Sequence, residues 1–138
     1  MLNTKLIPHT WQSFFDDLTE VYRRDPIRRY VLLRVSSPGL MGSRDVAPWL
    51  PFEQISYDPE TGTLRVGLEG FEYHIDGPVT IWAAVEADGN VERLVAIGRD
   101  GTRDYIEFSE YRIPDDGSSG RSRLESPAPF RVPAGGAR

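Results

Sequence analysis

Residues 10–26, TWQSFFDDLTEVYRRDP, contain the pattern that decides the fold. The large apolar side chains recur at the spacing of one face of an α-helix, and they are Trp11, Phe14, Phe15, Leu18 and Tyr22. Thr10 is predicted to cap this helix with its hydroxyl group. Pro26 pushes Asp25 out of helical geometry and ends the helix. The stretch therefore predicts one amphipathic helix whose apolar face must cover another apolar surface.

After Pro26 the pattern changes to strands. Runs rich in β-branched and aromatic residues alternate with polar positions and are separated by turn sequences such as DPETG at 58–62. The predicted strands are 30–35, 52–57, 63–68, 71–75, 79–87, 91–97 and 103–108. Short connections between the last three predict an antiparallel meander. The strand 79–87 is the most apolar and is predicted to be central.

The predicted fold class is α+β, with the N-terminal amphipathic helix packed on an antiparallel sheet of about five to seven strands, either open or curled into a partial barrel. Residues 1–113 are predicted to form this single domain. From residue 114 onwards Pro, Gly, Ser and Arg dominate, and too little apolar surface is present to offset the entropy of ordering. Residues 114–138 are therefore predicted to be a disordered tail.

Composition limits the classes of function. The 138 residues include no cysteine, which excludes disulfides, thiolate metal sites and cysteine nucleophiles and fits a reducing compartment. Residues 1–10 do not resemble a signal peptide, and no apolar run could span a membrane, so we expect a cytoplasmic location. The net charge of −5 argues against nucleic acid as the partner, because an acidic surface repels phosphates. The oligomeric state is left open.

Three stretches taken together resemble a known family. They are IPHTWQSFF at 7–15, LPFEQISYD at 50–58, and HIDGP at 74–78 followed by DGT at 100–102 and Phe108. Their order and spacing are similar to those of DUF5335, a family of short bacterial proteins of unknown function. The resemblance covers residues 6–108 and implies a free-standing bacterial domain. It implies no reaction, no cofactor and no site residues.

One strand carries side chains that could bind a metal. Alternation in EYHID places Glu72, His74 and Asp76 on one face of the strand and the apolar residues on the other. Imidazole and carboxylate ligands with water suit zinc or manganese. The same three residues are also what the solvated face of a half-buried strand would carry, and the sequence does not decide between the two.

A second candidate site is the segment 36–50, which is predicted to be a long loop. It carries Met41, Arg44 and Trp49, which offer an adaptable contact, a cation and an aromatic ring. Long loops in compact domains often bind ligands. The alternative is that the apolar residues of this loop close an open end of the core.

A basic patch, YRRDPIRRY at 22–30, either contacts RNA or an acidic partner or is the solvated end of the helix.

The motifs of nucleophilic catalysis and of phosphate-binding loops are missing from the sequence. The first prediction is therefore a small non-catalytic binding or interaction module. It would act on an unknown protein or small molecule through residues 36–50 or an exposed sheet face, without a cofactor. The alternative prediction is a small metal-binding protein or metal-dependent enzyme that uses Glu72, His74 and Asp76.

Overall fold

The computed structural model describes residues 2–39 and 41–110. In chain order the elements are β1 (Leu2–Lys5), a 3-10 turn (Pro8–Thr10), α1 (Trp11–Arg24), β2 (Tyr30–Ser36), β3 (Arg44–Asp58), β4 (Thr63–Leu68), β5 (Phe71–Asp76), β6 (Pro78–Val85), β7 (Val91–Gly98) and β8 (Arg103–Ser109). One N-terminal helix packs on an antiparallel sheet, which confirms the predicted α+β class. None of the described helices is long and apolar enough to cross a membrane. The predicted boundary at residue 113 and the predicted tail 114–138 lie outside the described residues.

The strands form one open sheet in the order β1-β6-β7-β8-β2-β3-β4-β5. The predicted meander of β6, β7 and β8 is confirmed, and β1 brings the number of described strands to eight. The prediction that the most apolar strand is central is wrong, because β6 lies second from one edge with the short β1 outside it. Strand β6 is the most apolar because both of its faces carry apolar residues. Ile81 and Ala83 are buried in the core on the inner side, and Trp82, between them, is partly exposed on the other side.

Strand β3 is much longer than predicted, because it begins at Arg44 and includes residues 44–50 of the segment 36–50 that was predicted to be a loop. Residues 44–51 pair with β2, and pairing with β4 begins at Phe52, so the first half of β3 has a strand partner on one side. Pro48 and Pro51 lie in this half. A proline has no backbone N–H, and it is tolerated where one side of a strand needs no partner or where the register shifts.

The predicted apolar stripe of α1 is confirmed. Trp11, Phe15, Leu18 and Tyr22 are buried, and Phe14 is half-buried against the same core. We call the side of the sheet that α1 covers the inner face. Its most deeply buried side chains are Val31, Leu33, Ile55, Leu64, Val66, Ile81, Leu94 and Ile106. The ring of Tyr22 makes edge contacts with those of Phe52 and Phe108, at centroid distances of 6.0 and 5.5 Å.

Thr10 occupies the N-cap position of α1 as predicted, but the predicted capping bond from its hydroxyl is absent. The 3-10 turn places Thr10 at the end of a tight turn, and its hydroxyl donates a hydrogen bond back to the carbonyl of Ile7 at 2.6 Å. It therefore makes no capping bond to the backbone of α1. The C-terminal prediction is confirmed, since the helix ends at Arg24 and Asp25 is extended before Pro26.

Two hydroxyl groups of α1 bind the backbone of the sheet. The hydroxyl of Thr19 accepts a bond from the N–H of Ile55 at 2.9 Å and donates to its carbonyl at 2.6 Å. The hydroxyl of Tyr22 does the same for Val91, at 2.9 and 3.1 Å. Burial raises the pKa of Tyr22, so its proton stays in place for the donated bond. Each hydroxyl thus substitutes for a neighbouring strand.

A buried arginine joins the end of α1 to the sheet. Arg29 is 5% exposed, and its guanidinium lies 4.4 Å from the centre of the Tyr22 ring. It donates to the carboxylate of Asp25 at 3.0 Å and to the side-chain oxygen of Asn90 at 3.4 Å. The carboxylate of Glu110 lies 3.8 Å away. This buried cation is therefore paired, as burial requires.

We expect Phe15→Ala to lower the free energy of unfolding by about 3–5 kcal/mol, because Phe15 is 0% exposed and its loss leaves a cavity. Phe14→Ala should cost less, since Phe14 is half-buried. Val21→Ala, on the exposed side of the same helix, is the matched control and should change stability by less than about 0.5 kcal/mol. Urea unfolding measures all three. Equal losses at positions 15 and 21 would contradict the docking of α1.

Candidate binding surface

The side of the sheet opposite α1, which we call the outer face, can be traced by register. Residues directly opposite each other in antiparallel strands share a face. One row across six strands runs Lys5, Trp82, Val95, Tyr105, Arg34 and Asp45. The ion pair between Arg34 and Asp45, at 3.0 Å, agrees with this placement. Among residues 2–39 and 41–110, no helix lies on this face, because α1 packs on the other.

Four aromatic residues lie on the outer face. Trp82 is 39% exposed, and Tyr105 is half-buried two strands away in the same row. Tyr30 precedes the core residue Val31 in β2, so alternation turns its ring outward. Trp49 lies where β3 shifts register against β2, and unlike its neighbour Leu50 it is not one of the partly buried side chains that pack on the core, so we assign it to the outer face. Tyr30, Trp49, Trp82 and Tyr105 are thus spread over β2, β3, β6 and β8.

Around the row that holds Trp82, Tyr105 and Arg34, the outer face carries more cations than acids. The central row and the two rows beside it hold Lys5, Arg34, Arg93 and Arg103 against Asp45 and Glu107. Arg34 binds both carboxylates, at 3.0 Å to Asp45 and 3.6 Å to Glu107. Within the described part of the chain, Lys5, Arg93 and Arg103 form no ion pair. This part of the outer face is therefore positive on a protein whose net charge is −5, whereas the same face carries Glu72 and Asp76 at β5.

The structure does not bring Met41, Arg44 and Trp49 together. Met41 is fully exposed in the connection between β2 and β3. Arg44 begins β3 opposite Val35, an inner-face position, whereas Trp49 is on the outer face. Their use in binding stays a prediction.

Glu72, His74 and Asp76 lie exposed on one face of β5, as alternation predicted. Glu72 lies 3.7 Å from His74 and nearer, at 3.3 Å, to Arg65, whereas Asp76 accepts a bond from the hydroxyl of Thr63 at 3.1 Å. The described residues contain no group of three or more His, Cys, Asp or Glu side chains arranged to hold a metal ion. The metal site stays a prediction.

A buried carboxylate that the sequence analysis missed lies at one end of the inner face. Asp104 is 8% exposed and accepts a hydrogen bond from the hydroxyl of Tyr73 at 2.7 Å. These residues belong to β8 and β5, which are separated by three strands in the sheet, so the sheet curls strongly to bring them together. The sequence does contain a sign of this buried acid, because Asp104 alternates with Ile106 and Phe108 on the inward side of β8.

A cleft of about 560 Å³ lies between β3 and the end of α1 with the connection that follows it. The basic patch predicted at 22–30 forms one wall, and Phe52, Glu53 and Gln54 form the other. Its charges largely cancel, because Arg29 binds Asp25 and Arg28 lies 3.9 Å from Glu69. We therefore regard the outer face, rather than this cleft, as the stronger candidate for binding.

The profile of a family described as "Family of unknown function (DUF5335)" matches residues 2–116. The match extends over every described strand and over α1, which confirms the resemblance inferred from the sequence. No curated protein and no solved structure matches the chain.

We expect Asp104→Asn to become progressively more stable than the native protein as the pH is raised. Burial raises the pKa of Asp104 above the ordinary value of 3.8, and this outweighs the opposing effect of the Tyr73 hydrogen bond. The folded state therefore binds the proton more tightly, and the stability from that proton is present below 3.8 and lost as the pH rises through the folded pKa. The asparagine keeps an oxygen for Tyr73 without the buried charge.

Urea unfolding of both proteins between acidic and neutral pH measures the difference. Asp45→Asn, an exposed acid of the outer face, is the matched control and should not show this trend. A difference between Asp104→Asn and the native protein that is flat with pH, or that shrinks as pH rises, would contradict the assignment.

Proposed function

Because the chain belongs to the family of unknown function DUF5335, whose description assigns no activity, we propose from geometry alone that it is a small non-catalytic binding module. Its outer face would hold an acidic segment of a protein partner. The observation that supports this most is Trp82, a large apolar side chain that is 39% exposed in the middle of a regular strand. Exposed apolar surface of this kind marks interaction sites.

The composition of the outer face fits a protein interface. Tryptophan, tyrosine and arginine are the residues that most often carry the binding energy of such interfaces. Trp82 and Tyr105 lie in one row with Arg34, and Trp49 and Tyr30 extend the aromatic surface across β2 and β3. Regular strands hold these rings in place, so little entropy is lost on binding.

The charge of the outer face indicates the chemistry of the partner. Arg93 and Arg103 are exposed without an ion pair to any described residue, and Lys5 continues the positive edge. Aspartate or glutamate side chains of a partner would pair with them and speed the encounter. Aromatic and arginine side chains on a sheet can also stack on single-stranded nucleic acid. The net charge of −5 opposes that partner, and the experiment below includes it as an outcome.

The same surface is suited to contact rather than to catalysis. Asp45 and Glu107 are already bound by Arg34, so neither is placed as a free base. A bacterial cytoplasmic location completes the proposal, and the cysteine-free sequence fits a reducing compartment.

We expect selection of a displayed random peptide library on the full-length protein to enrich peptides that combine Asp or Glu with apolar residues. A synthetic copy of an enriched peptide should bind Trp82→Ala at least about tenfold more weakly, since an interface tryptophan is worth 2 kcal/mol or more. Arg93→Glu with Arg103→Glu should weaken binding through charge repulsion. Fluorescence anisotropy of the labelled peptide measures each affinity.

Met41→Ala is the matched control, because Met41 is fully exposed in the connection between β2 and β3 and belongs to none of the strands that form the outer face. It should bind the peptide as the native protein does. Equal enrichment on the Trp82→Ala protein would contradict the proposal. Binding of labelled homopolymeric RNA that depends on the same residues, without peptide binding, would replace the protein partner by a nucleic acid.

A further inference from the structure

Strand β5 forms one edge of the sheet. It pairs with β4 on one side and is last in the strand order, so its other side, which we call the β5 edge, has no strand partner among the described residues. The strand lies between Gly70 and Gly77, whose positive φ values of 76° and 62° turn the chain at each end. The opposite edge of the sheet is the four-residue β1, which is shorter.

The hydrogen-bond pattern shows which backbone groups point out of the β5 edge. The N–H of Gly77 donates to the carbonyl of Gly62 at 2.8 Å, so this pair is a hydrogen-bonded pair of the β4–β5 ladder. Such pairs alternate along antiparallel strands. Tyr73 and Ile75 therefore bond to β4, whereas the N–H and C=O groups of Glu72, His74 and Asp76 point away from it.

We infer that the β5 edge pairs in antiparallel fashion with the β5 edge of a second copy of this chain. The two-fold axis passes between the Tyr73 residues of the two copies. Glu72 of each copy then lies opposite His74 of the other, and both are residues whose backbone groups point outward. These two residue pairs exchange about four backbone hydrogen bonds, as opposed residues in hydrogen-bonded positions do.

The side chains select this register. With Tyr73 at the axis, each Glu72 carboxylate faces an imidazole that can donate to it. With His74 at the axis, the two His74 residues face each other and Glu72 faces Asp76, which places like charges together. With Ile75 at the axis, Glu72 faces Pro78, which has no N–H to donate. Polar side chains on an edge normally prevent pairing, but here their order is self-complementary in one register.

The neighbouring side chains support the same arrangement. In one copy, the Glu72 carboxylate already lies 3.3 Å from Arg65 and 3.7 Å from His74, so it is held on the face where it would meet the second copy. On the other face, Phe71, which is 37% exposed, would lie opposite Ile75 of the second copy and lose part of its exposure to water. The contact thus combines backbone bonds, two polar pairs and partial burial of the two Phe71 rings.

Sedimentation equilibrium of the full-length protein over a concentration series tests the inference. The native chain should show a monomer–dimer equilibrium. His74→Glu places Glu opposite Glu at two positions and should weaken association by at least about tenfold. The swapped variant Glu72→His with His74→Glu restores the opposite pairs and keeps a carboxylate near Arg65, so it should recover the dimer.

His74→Pro removes an outward N–H without removing a bond to β4, and it should also weaken the dimer. Trp82→Ala, on the outer face, is the matched control and should leave association unchanged, so this test is independent of the proposed function. Urea unfolding confirms that each variant is folded. A native chain that stays monomeric at every concentration would overturn the inference. So would a dimer that is insensitive to His74→Glu and to His74→Pro, or a swapped variant that remains monomeric.

Discussion

The fold depends on how α1 satisfies backbone groups that the sheet leaves without a strand partner. The hydroxyl of Thr19 binds both backbone groups of Ile55, and that of Tyr22 binds both backbone groups of Val91. An unpaired N–H or C=O in a buried place would cost about 1–3 kcal/mol. The apolar stripe of the helix drives it onto the inner face, and these bonds fix its orientation there. Arg29, buried beside the Tyr22 ring, fixes the end of the helix.

This arrangement uses one face of the sheet and leaves the other uncovered by any described helix. A single helix suffices for the inner face because the sheet curls, as the bond between Tyr73 and Asp104 across three intervening strands requires. The outer face then keeps Trp82 and its neighbours at the surface. Packing of the single helix on one face therefore builds the core and also leaves uncovered the surface on which the proposed function rests. The β5 edge is a second consequence, since an open sheet must have two ends.

Periodicity in the sequence was enough to predict the helix, its buried face, the meander and the exposed face of β5. It could not predict the outward position of Trp82. Ile81, Ala83 and Ala84 make both faces of β6 apolar, so alternation of apolar and polar residues does not show which face is buried. The first half of β3 was predicted to be a loop, because its pairing with β2 passes through register shifts that leave no regular alternation in the sequence. Tyr73 and Asp104 could not be paired from sequence, because their contact depends on strand order and curl. The candidate surface therefore came from the structure, while the kind of module was already expected.

Amide hydrogen exchange at Ile55 and Val91 tests the central claim most directly. In the native protein both amides should exchange slowly, with protection near that of the core strands, because each is bound to a hydroxyl of α1. Thr19→Val should accelerate exchange at Ile55 and leave Val91 slow, and Tyr22→Phe should do the reverse. Exchange at both amides that is unchanged by these substitutions would show that the hydroxyls do not hold the helix on the sheet.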